Sequence, residues 1–164
     1  MAYEPGDPID IAASVAPRRL GDLLGRVHVA SLRYTSRADV PTRLLEWWRN
    51  FAEARGDAAA LRVLDRVDEV ALTDGLPDAV VYGDPSPEVH DADGRLALID
   101  WGTPSWGPLA YDVGAWLAWI RRSGAVAGYE ASFLGAYAKH RPIARAERGL
   151  LPSFSLLAES IAAP

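Results

Sequence analysis

Two stretches decide the fold: Ala79-Val80-Val81-Tyr82-Gly83-Asp84 and Arg95-Leu96-Ala97-Leu98-Ile99-Asp100-Trp101-Gly102. Each is a short apolar run that leads to an aspartate with a glycine one or two residues away, and Asp100 follows sixteen residues after Asp84. Such runs, bounded by Pro and Gly, are typical of buried strands, and Asp93-Gly94 between them predicts a hairpin turn. Two carboxylates at strand ends suit phosphoryl-transfer chemistry, in which one orients a substrate hydroxyl and the other holds Mg²⁺.

Helical spacing of apolar residues dominates the rest of the chain. Proline at a predicted helix start, as at Pro17, and glycine at a predicted end, as at Gly75, support the boundaries. The spacing predicts six helices: Pro17 to about Leu32, Pro41 to Arg55, Ala58 to about Leu72, Leu109 to Ile120, Ala125 to about His140, and Ala144 to about Ala162. The predicted fold class is mainly α with one small β-hairpin, in a single domain spanning residues 1–164.

Composition excludes several classes of protein. Charged residues make up 24% and hydrophobic residues 49%, as in globular proteins. The net charge of −5 disfavours a nucleic-acid partner, and the lack of cysteine excludes disulfides and thiolate chemistry. The first ten residues show no signal-peptide pattern, and no apolar run is long enough to cross a bilayer. We therefore expect a cytoplasmic protein without a nucleic-acid or membrane partner.

Three ordered motifs resemble the catalytic core of the aminoglycoside phosphotransferase family, which shares the protein-kinase fold with choline kinases. They are Tyr82-Gly83-Asp84-Pro85-Ser86-Pro87-Glu88, residues 94–102 and Gly107-Pro108-Leu109-Ala110-Tyr111-Asp112. Residues 20–28 are also similar to the family's first large-lobe helix, which commonly ends in Leu-His. The similarity extends from about Tyr3 to Leu157. It implies the large, carboxyl-terminal lobe of a protein-kinase-like fold.

The resemblance also implies a role for each of three aspartates. Asp84 resembles the catalytic aspartate that accepts or orients the substrate hydroxyl proton, and Asp100 resembles the aspartate that binds Mg²⁺. Asp112 resembles a structural aspartate that either braces the catalytic loop or caps a helix. For Asp112 we favour a helix-start carboxylate that satisfies backbone N–H groups.

The chain departs from the family pattern in three respects. The resemblance implies an amino-terminal lobe with a phosphate-binding lysine, yet the sequence starts with a hinge-like lead-in, residues 1–9, and its one lysine is Lys139. Val89 stands where the family has a metal-binding Asn, and Tyr82 replaces the family's His. We therefore expect that the nucleotide-binding lobe is absent. We expect no cofactor for this chain alone, and Mg and ATP only if that lobe is supplied.

A pocket beside the two aspartates is a further prediction. Its candidate lining residues are Tyr82, Glu88, His90, Trp101 and Trp106. Trp101 and Trp106 flank Asp100 in Gly- and Pro-rich sequence, which suits a pocket wall. His90 is expected to be a polar residue beside a turn, because imidazole is a poor ligand for Mg²⁺.

Three functions stay open at this point. The chain binds a small molecule or a partner without transferring phosphate, in which case a homodimer or a heteromeric partner covers its exposed interlobe surface. Alternatively, Asp84 and Asp100 form an acid–base pair for a nucleotide-independent reaction, which requires burial near Trp101 to raise the pKa of one carboxyl. The third function is the carboxyl-terminal lobe of an ATP- and Mg-dependent small-molecule O-phosphotransferase.

Overall fold

The computed structural model describes residues 6–34, 40, 42–102 and 104–162. Within these ranges the chain forms six α-helices and five short strands. The helices are α1 (Ala16–Ser31), α2 (Leu44–Arg55), α3 (Ala58–Asp74), α4 (Leu109–Arg122), α5 (Tyr129–Tyr137) and α6 (Arg145–Ala162). The strands are β1 (Asp7–Pro8), β2 (Asp78–Val81), β3 (Glu88–Ala92), β4 (Arg95–Ile99) and β5 (Ser105–Pro108). None of the helices in these ranges is long and apolar enough to span a membrane.

The strands form two small antiparallel sheets, one with the order β1-β3-β4 and one that pairs β2 with β5. β3 and β4 make a hairpin with its turn at Asp93-Gly94, as predicted, in which Glu88 pairs with Ile99 and Ala92 pairs with Arg95. The apolar run in β2 pairs with β5 instead of β4. Asp93 and Gly94 between them have φ angles of 50° and 81°, the left-handed backbone that a tight hairpin turn requires.

Helix α4 is the central helix and is buried along most of its length. It packs against α6, while α1 packs against α5. Glycine makes the first packing possible, because a Cβ atom on Gly114 would lie 2.7 Å from the Cβ atom of Phe154. The buried apolar side chains form one cluster between these helices and the sheets. This packing sets the positions of the loops that follow β2 and β4.

The structure confirms a mainly α fold with small sheets, as in the large lobe of a kinase-like fold. The predicted helix ends differ in detail: α5 is shorter than predicted, because Gly128 directly before it has φ 79°. The prediction missed β1 and β5. Strand β1 lies inside the proposed lead-in and pairs with β3, and β5 pairs with β2. Residues 1–5 of that lead-in and Pro41 lie outside the described residues, and α2 begins at Leu44, later than predicted, because Arg43 before it is extended.

Candidate functional site

A buried carboxylate holds the loop that follows β2. Asp112, in the first turn of α4, has no solvent-exposed surface. Its Oδ2 accepts a hydrogen bond from the backbone N–H of Tyr82 at 2.7 Å, and its Oδ1 accepts one from Gly83 at 3.0 Å. Gly83 has φ 82°, a conformation that glycine adopts without strain. Asp112 thus satisfies backbone N–H groups of the distant loop rather than those of its own helix.

Tyr82 joins the two loops that carry Asp84 and Asp100. Its hydroxyl donates to the carbonyl of Ile99 at 2.9 Å, and its ring meets that of Trp101 edge-on, with centroids 5.3 Å apart. Burial raises the pKa of Tyr82, and the nearby charges of Asp84, Asp100 and Glu88 raise it further. Three carboxylates are therefore close enough to one phenol to influence its ionisation.

Asp84 is half-buried in the loop after β2. One carboxylate oxygen, Oδ1, accepts the backbone N–H of Ser86 at 2.7 Å, which forms an Asx turn. The other oxygen has no hydrogen-bond partner among the described residues. This arrangement orients the carboxylate and leaves one acceptor free for a ligand hydroxyl.

Asp100 follows β4 and is exposed to solvent. Its φ of 52° lies in the left-handed region, which costs a non-glycine residue on the order of 1 kcal/mol. No described residue donates a hydrogen bond to its carboxylate. Backbone strain of this kind is concentrated at functional sites, so the geometry is in keeping with a ligand-binding role.

Strand register places Glu88, not Val89, next to Asp100. Glu88 pairs with Ile99, the residue directly before Asp100, and its side chain is 53% exposed. The side chain of Val89 is buried in the core, since successive residues of a strand point to opposite faces. The position that the motif spacing assigns to a metal-binding Asn therefore points away from the site, and a carboxylate stands beside the site instead.

Two of the other predicted pocket residues lie near this site. The ring nitrogens of His90 contact the carbonyl of Gly6 at 2.7 Å and Oε1 of Glu88 at 3.2 Å. His90 therefore lies within β3 and connects it to the lead-in, rather than beside a turn as predicted. Trp101 is 43% exposed, and its Nε1–H donates to the carbonyl of Leu98 at 3.1 Å.

Trp106 does not line an open pocket, which corrects the sequence-based expectation. It lies in β5 and is 6% exposed. Its indole N–H donates to Oδ2 of Asp78 in the neighbouring strand at 2.7 Å. The Gly- and Pro-rich sequence suggested a pocket wall, but β2–β5 pairing buries this tryptophan.

Sequence reasoning missed a buried polar chain behind Asp112. Nε2 of His28 contacts Asp112 at 3.2 Å, and Nδ1 contacts the hydroxyl of Tyr137 at 2.8 Å. That hydroxyl accepts from Nη1 of Arg141 at 3.1 Å, while Nη2 of Arg141 donates to Glu147 at 2.5 Å. Burial raises the pKa of Tyr137 to about 12. This series of hydrogen bonds connects α1, α5 and α6 to Asp112, the carboxylate that holds the Asp84 loop.

These contacts join residues that are far apart in sequence, such as His28 and Tyr137. The one signal available beforehand was Val27-His28, at the position where the family's first large-lobe helix commonly ends in Leu-His. Arg122 was missed as well. Its guanidinium, at the end of α4, donates to the carbonyl of Pro85 at 3.2 Å, next to Asp84.

The chain matches the profile of the phosphotransferase enzyme family over residues 1–148. This range contains all three motifs and the loops that they form. The protein therefore belongs to the phosphotransferase enzyme family, as the motifs predicted. A search of curated proteins found no match.

Proposed function

We propose that this site is the hydroxyl-acceptor half of a small-molecule O-phosphotransferase. The observation that carries the proposal is the geometry of the Asp84 loop. Asp112 holds the loop at two successive N–H groups, and Asp84 keeps one oxygen unpaired. A carboxylate held in this way binds a substrate hydroxyl, orients its oxygen and accepts its proton as the oxygen attacks a phosphoryl group.

The donor groups beside Asp84 fit a divalent cation that prefers oxygen ligands. Asp100 and Glu88 are exposed carboxylates at adjoining positions of the β3–β4 hairpin, and either suits Mg²⁺. Val89 does not fit, because its side chain is apolar and buried. Bound Mg²⁺ would neutralise negative charge on the phosphates of a nucleotide.

We further propose that these 164 residues do not transfer phosphate from ATP without a phosphate-binding lysine from elsewhere. Lys139 is the sole lysine, and it lies beyond α5, in a groove shared with α1 and the start of β4. Asp100 follows the opposite end of β4. Arg122 lies beside the Asp84 loop, but it is no substitute for a lysine, because its guanidinium differs from an ammonium group in shape and in the way it binds phosphate.

The acid–base alternative lacks a supporting observation. It requires a carboxyl in a dry environment, whereas Asp100 is exposed and Trp101 is 43% exposed.

The homodimer or heteromeric partner stays a prediction. Light scattering tests it, and a clean monomer at high concentration would contradict the homodimer.

The test of the acceptor site is ligand-detected NMR with a panel of hydroxyl-bearing small molecules that includes aminoglycosides and amino alcohols. The Asp84→Asn variant removes the charge of the proposed acceptor. Asp93→Asn is the matched control, because Asp93 is an exposed turn residue and asparagine tolerates its φ of 50°. A hydrogen bond to a carboxylate stabilises by about 1.5–3 kcal/mol, so we expect roughly 10- to 100-fold weaker binding by Asp84→Asn alone.

Equal binding by the wild type and Asp84→Asn across every compound that binds would contradict the acceptor role. A separate assay follows phosphate transfer from Mg·ATP to the compounds that bind. Turnover by the purified 164-residue chain would contradict the requirement for an external lysine while leaving the role of Asp84 intact. The Asp100→Asn variant, titrated with Mn²⁺ by water-proton relaxation, tests the metal site separately.

A further inference from the structure

A strongly basic groove lies on the face of the molecule next to α1. It has a volume of about 960 Å³ and is formed by the start of α1, the β3–β4 turn and the end of α5. Five of the residues that line it are cationic: Arg18, Arg19, Arg26, Arg95 and Lys139. Among the described residues that line it, Asp22 alone is acidic, although the whole chain carries a net charge of −5. We call this site the basic groove.

Local carboxylates neutralise only part of this charge. Arg19 forms an ion pair with Asp91, and Nε of Arg26 lies 3.2 Å from Asp22. Asp22 also contacts Nε2 of His140 at 2.7 Å. Both acidic neighbours are therefore already engaged.

The other three cations, Arg18, Arg95 and Lys139, form no ion pair with another described residue. All three are exposed, and they come from three separate segments: α1, β4 and the residues after α5. Like charges gathered in this way repel one another unless an anion lies between them. A solvated face of one helix would not bring together cations from three segments.

The start of α1 adds to this positive potential. Its first turn contains Arg18 and Arg19 and no acidic residue, and its N-cap, Val15, makes no side-chain cap. Positive side chains at a helix amino terminus oppose the helix dipole, whereas a bound anion is stabilised there. In addition, Nη2 of Arg19 is buried and has no hydrogen-bond partner in the described part of the chain. A buried donor without a partner calls for an acceptor.

We propose that the basic groove binds a small molecule carrying two or more phosphate groups. Guanidinium groups match phosphate oxygens in pairs, and three uncompensated cations exceed what a single phosphate requires. The overall negative charge, Asp22 in the groove and Asp91 paired with Arg19 disfavour a long polyanion such as nucleic acid. This site is distinct from the Asp84–Asp100 edge, because Arg95 begins β4 and Asp100 follows its end.

Calorimetric titration with inorganic tripolyphosphate in the presence of EDTA tests the proposal. Removal of divalent cations prevents metal-dependent binding at Asp100. The test variant is Arg95→Gln/Lys139→Gln, and the matched control is Arg62→Gln/Arg66→Gln on α3, which removes the same two charges elsewhere. Circular dichroism checks that each variant is folded.

We expect tripolyphosphate binding at low salt that weakens about tenfold or more in Arg95→Gln/Lys139→Gln, since two charge-assisted contacts are lost. The control and Asp100→Asn should stay within about twofold of the wild type, because neither removes a groove contact. Absence of binding by the wild type at low salt would overturn the proposal. Equal weakening in the control, or a comparable loss in Asp100→Asn, would also overturn it, since the first indicates general charge and the second the Asp84–Asp100 edge.

Discussion

Replacement of Asp112 by alanine tests whether one buried carboxylate organises the Asp84 loop. The change removes the acceptor of three hydrogen bonds, from the backbone N–H groups of Tyr82 and Gly83 and from Nε2 of His28. Asp112 and His28 are fully buried, so solvent does not readily replace the lost acceptor. The donors would be left without partners inside the protein.

The magnitude follows from these three contacts. Each buried donor left without an acceptor costs about 1–3 kcal/mol. We therefore expect Asp112→Ala to lower the free energy of unfolding by about 4 kcal/mol, a large part of the roughly 5–15 kcal/mol of a typical domain. Asp112→Asn keeps one side-chain oxygen as an acceptor, so about half of that loss is expected for it.

Urea unfolding followed by circular dichroism measures these changes in the free energy of unfolding. Amide hydrogen exchange gives a second readout, in which the N–H groups of Tyr82 and Gly83 should lose protection in Asp112→Ala. The reasoning would be refuted if Asp112→Ala stayed within about 1 kcal/mol of the wild type while both amides remained protected.

Gly114→Ala should destabilise the protein by about 1–3 kcal/mol, because its Cβ would lie 2.7 Å from Phe154; an unchanged melting temperature would contradict the close helix packing. Asp57→Ala should cost about 1 kcal/mol in urea unfolding, since Oδ1 of Asp57 caps α3 at two N–H groups, and Asp57→Asn, which keeps the cap, should cost less. The pKa of Tyr137 is raised to about 12 by burial, so its contribution to stability is present below pH 10 and is lost as pH rises through 12; absorbance at alkaline pH should show one late-ionising tyrosine fewer in Tyr137→Phe. A hydrogen bond from His140 lowers the pKa of Asp22, so stability is present above about pH 4 and falls as the carboxylate is protonated; an Asp22→Asn variant with the same acid-unfolding profile as the wild type would contradict this.

Local sequence determined most of the secondary structure and the family. The starts and ends of α1, α3, α4 and α6 follow from apolar spacing and from residues such as Pro17 and Gly75. The β3–β4 hairpin follows from Asp93-Gly94. These features depend on interactions within a few residues, which a sequence displays directly.

Tertiary structure alone decided which side chains meet at the two sites. Asp112 serves N–H groups about thirty residues away, and β3–β4 register places Glu88 rather than Val89 beside Asp100. Sheet pairing buries Trp106, a residue that sequence context suggested for a pocket. A shift of one residue in a strand exchanges its two faces, and motif spacing does not determine that register.

The basic groove is a second feature that the sequence alone did not predict, because it depends on which charged side chains come together in the fold. In the sequence, Arg18-Arg19, Arg95 and Lys139 lie far apart in an acidic chain. Packing of α5 and the hairpin around the start of α1 brings these cations into one groove. Electrostatic potential depends on distances through space, and those distances exist only once the chain has folded.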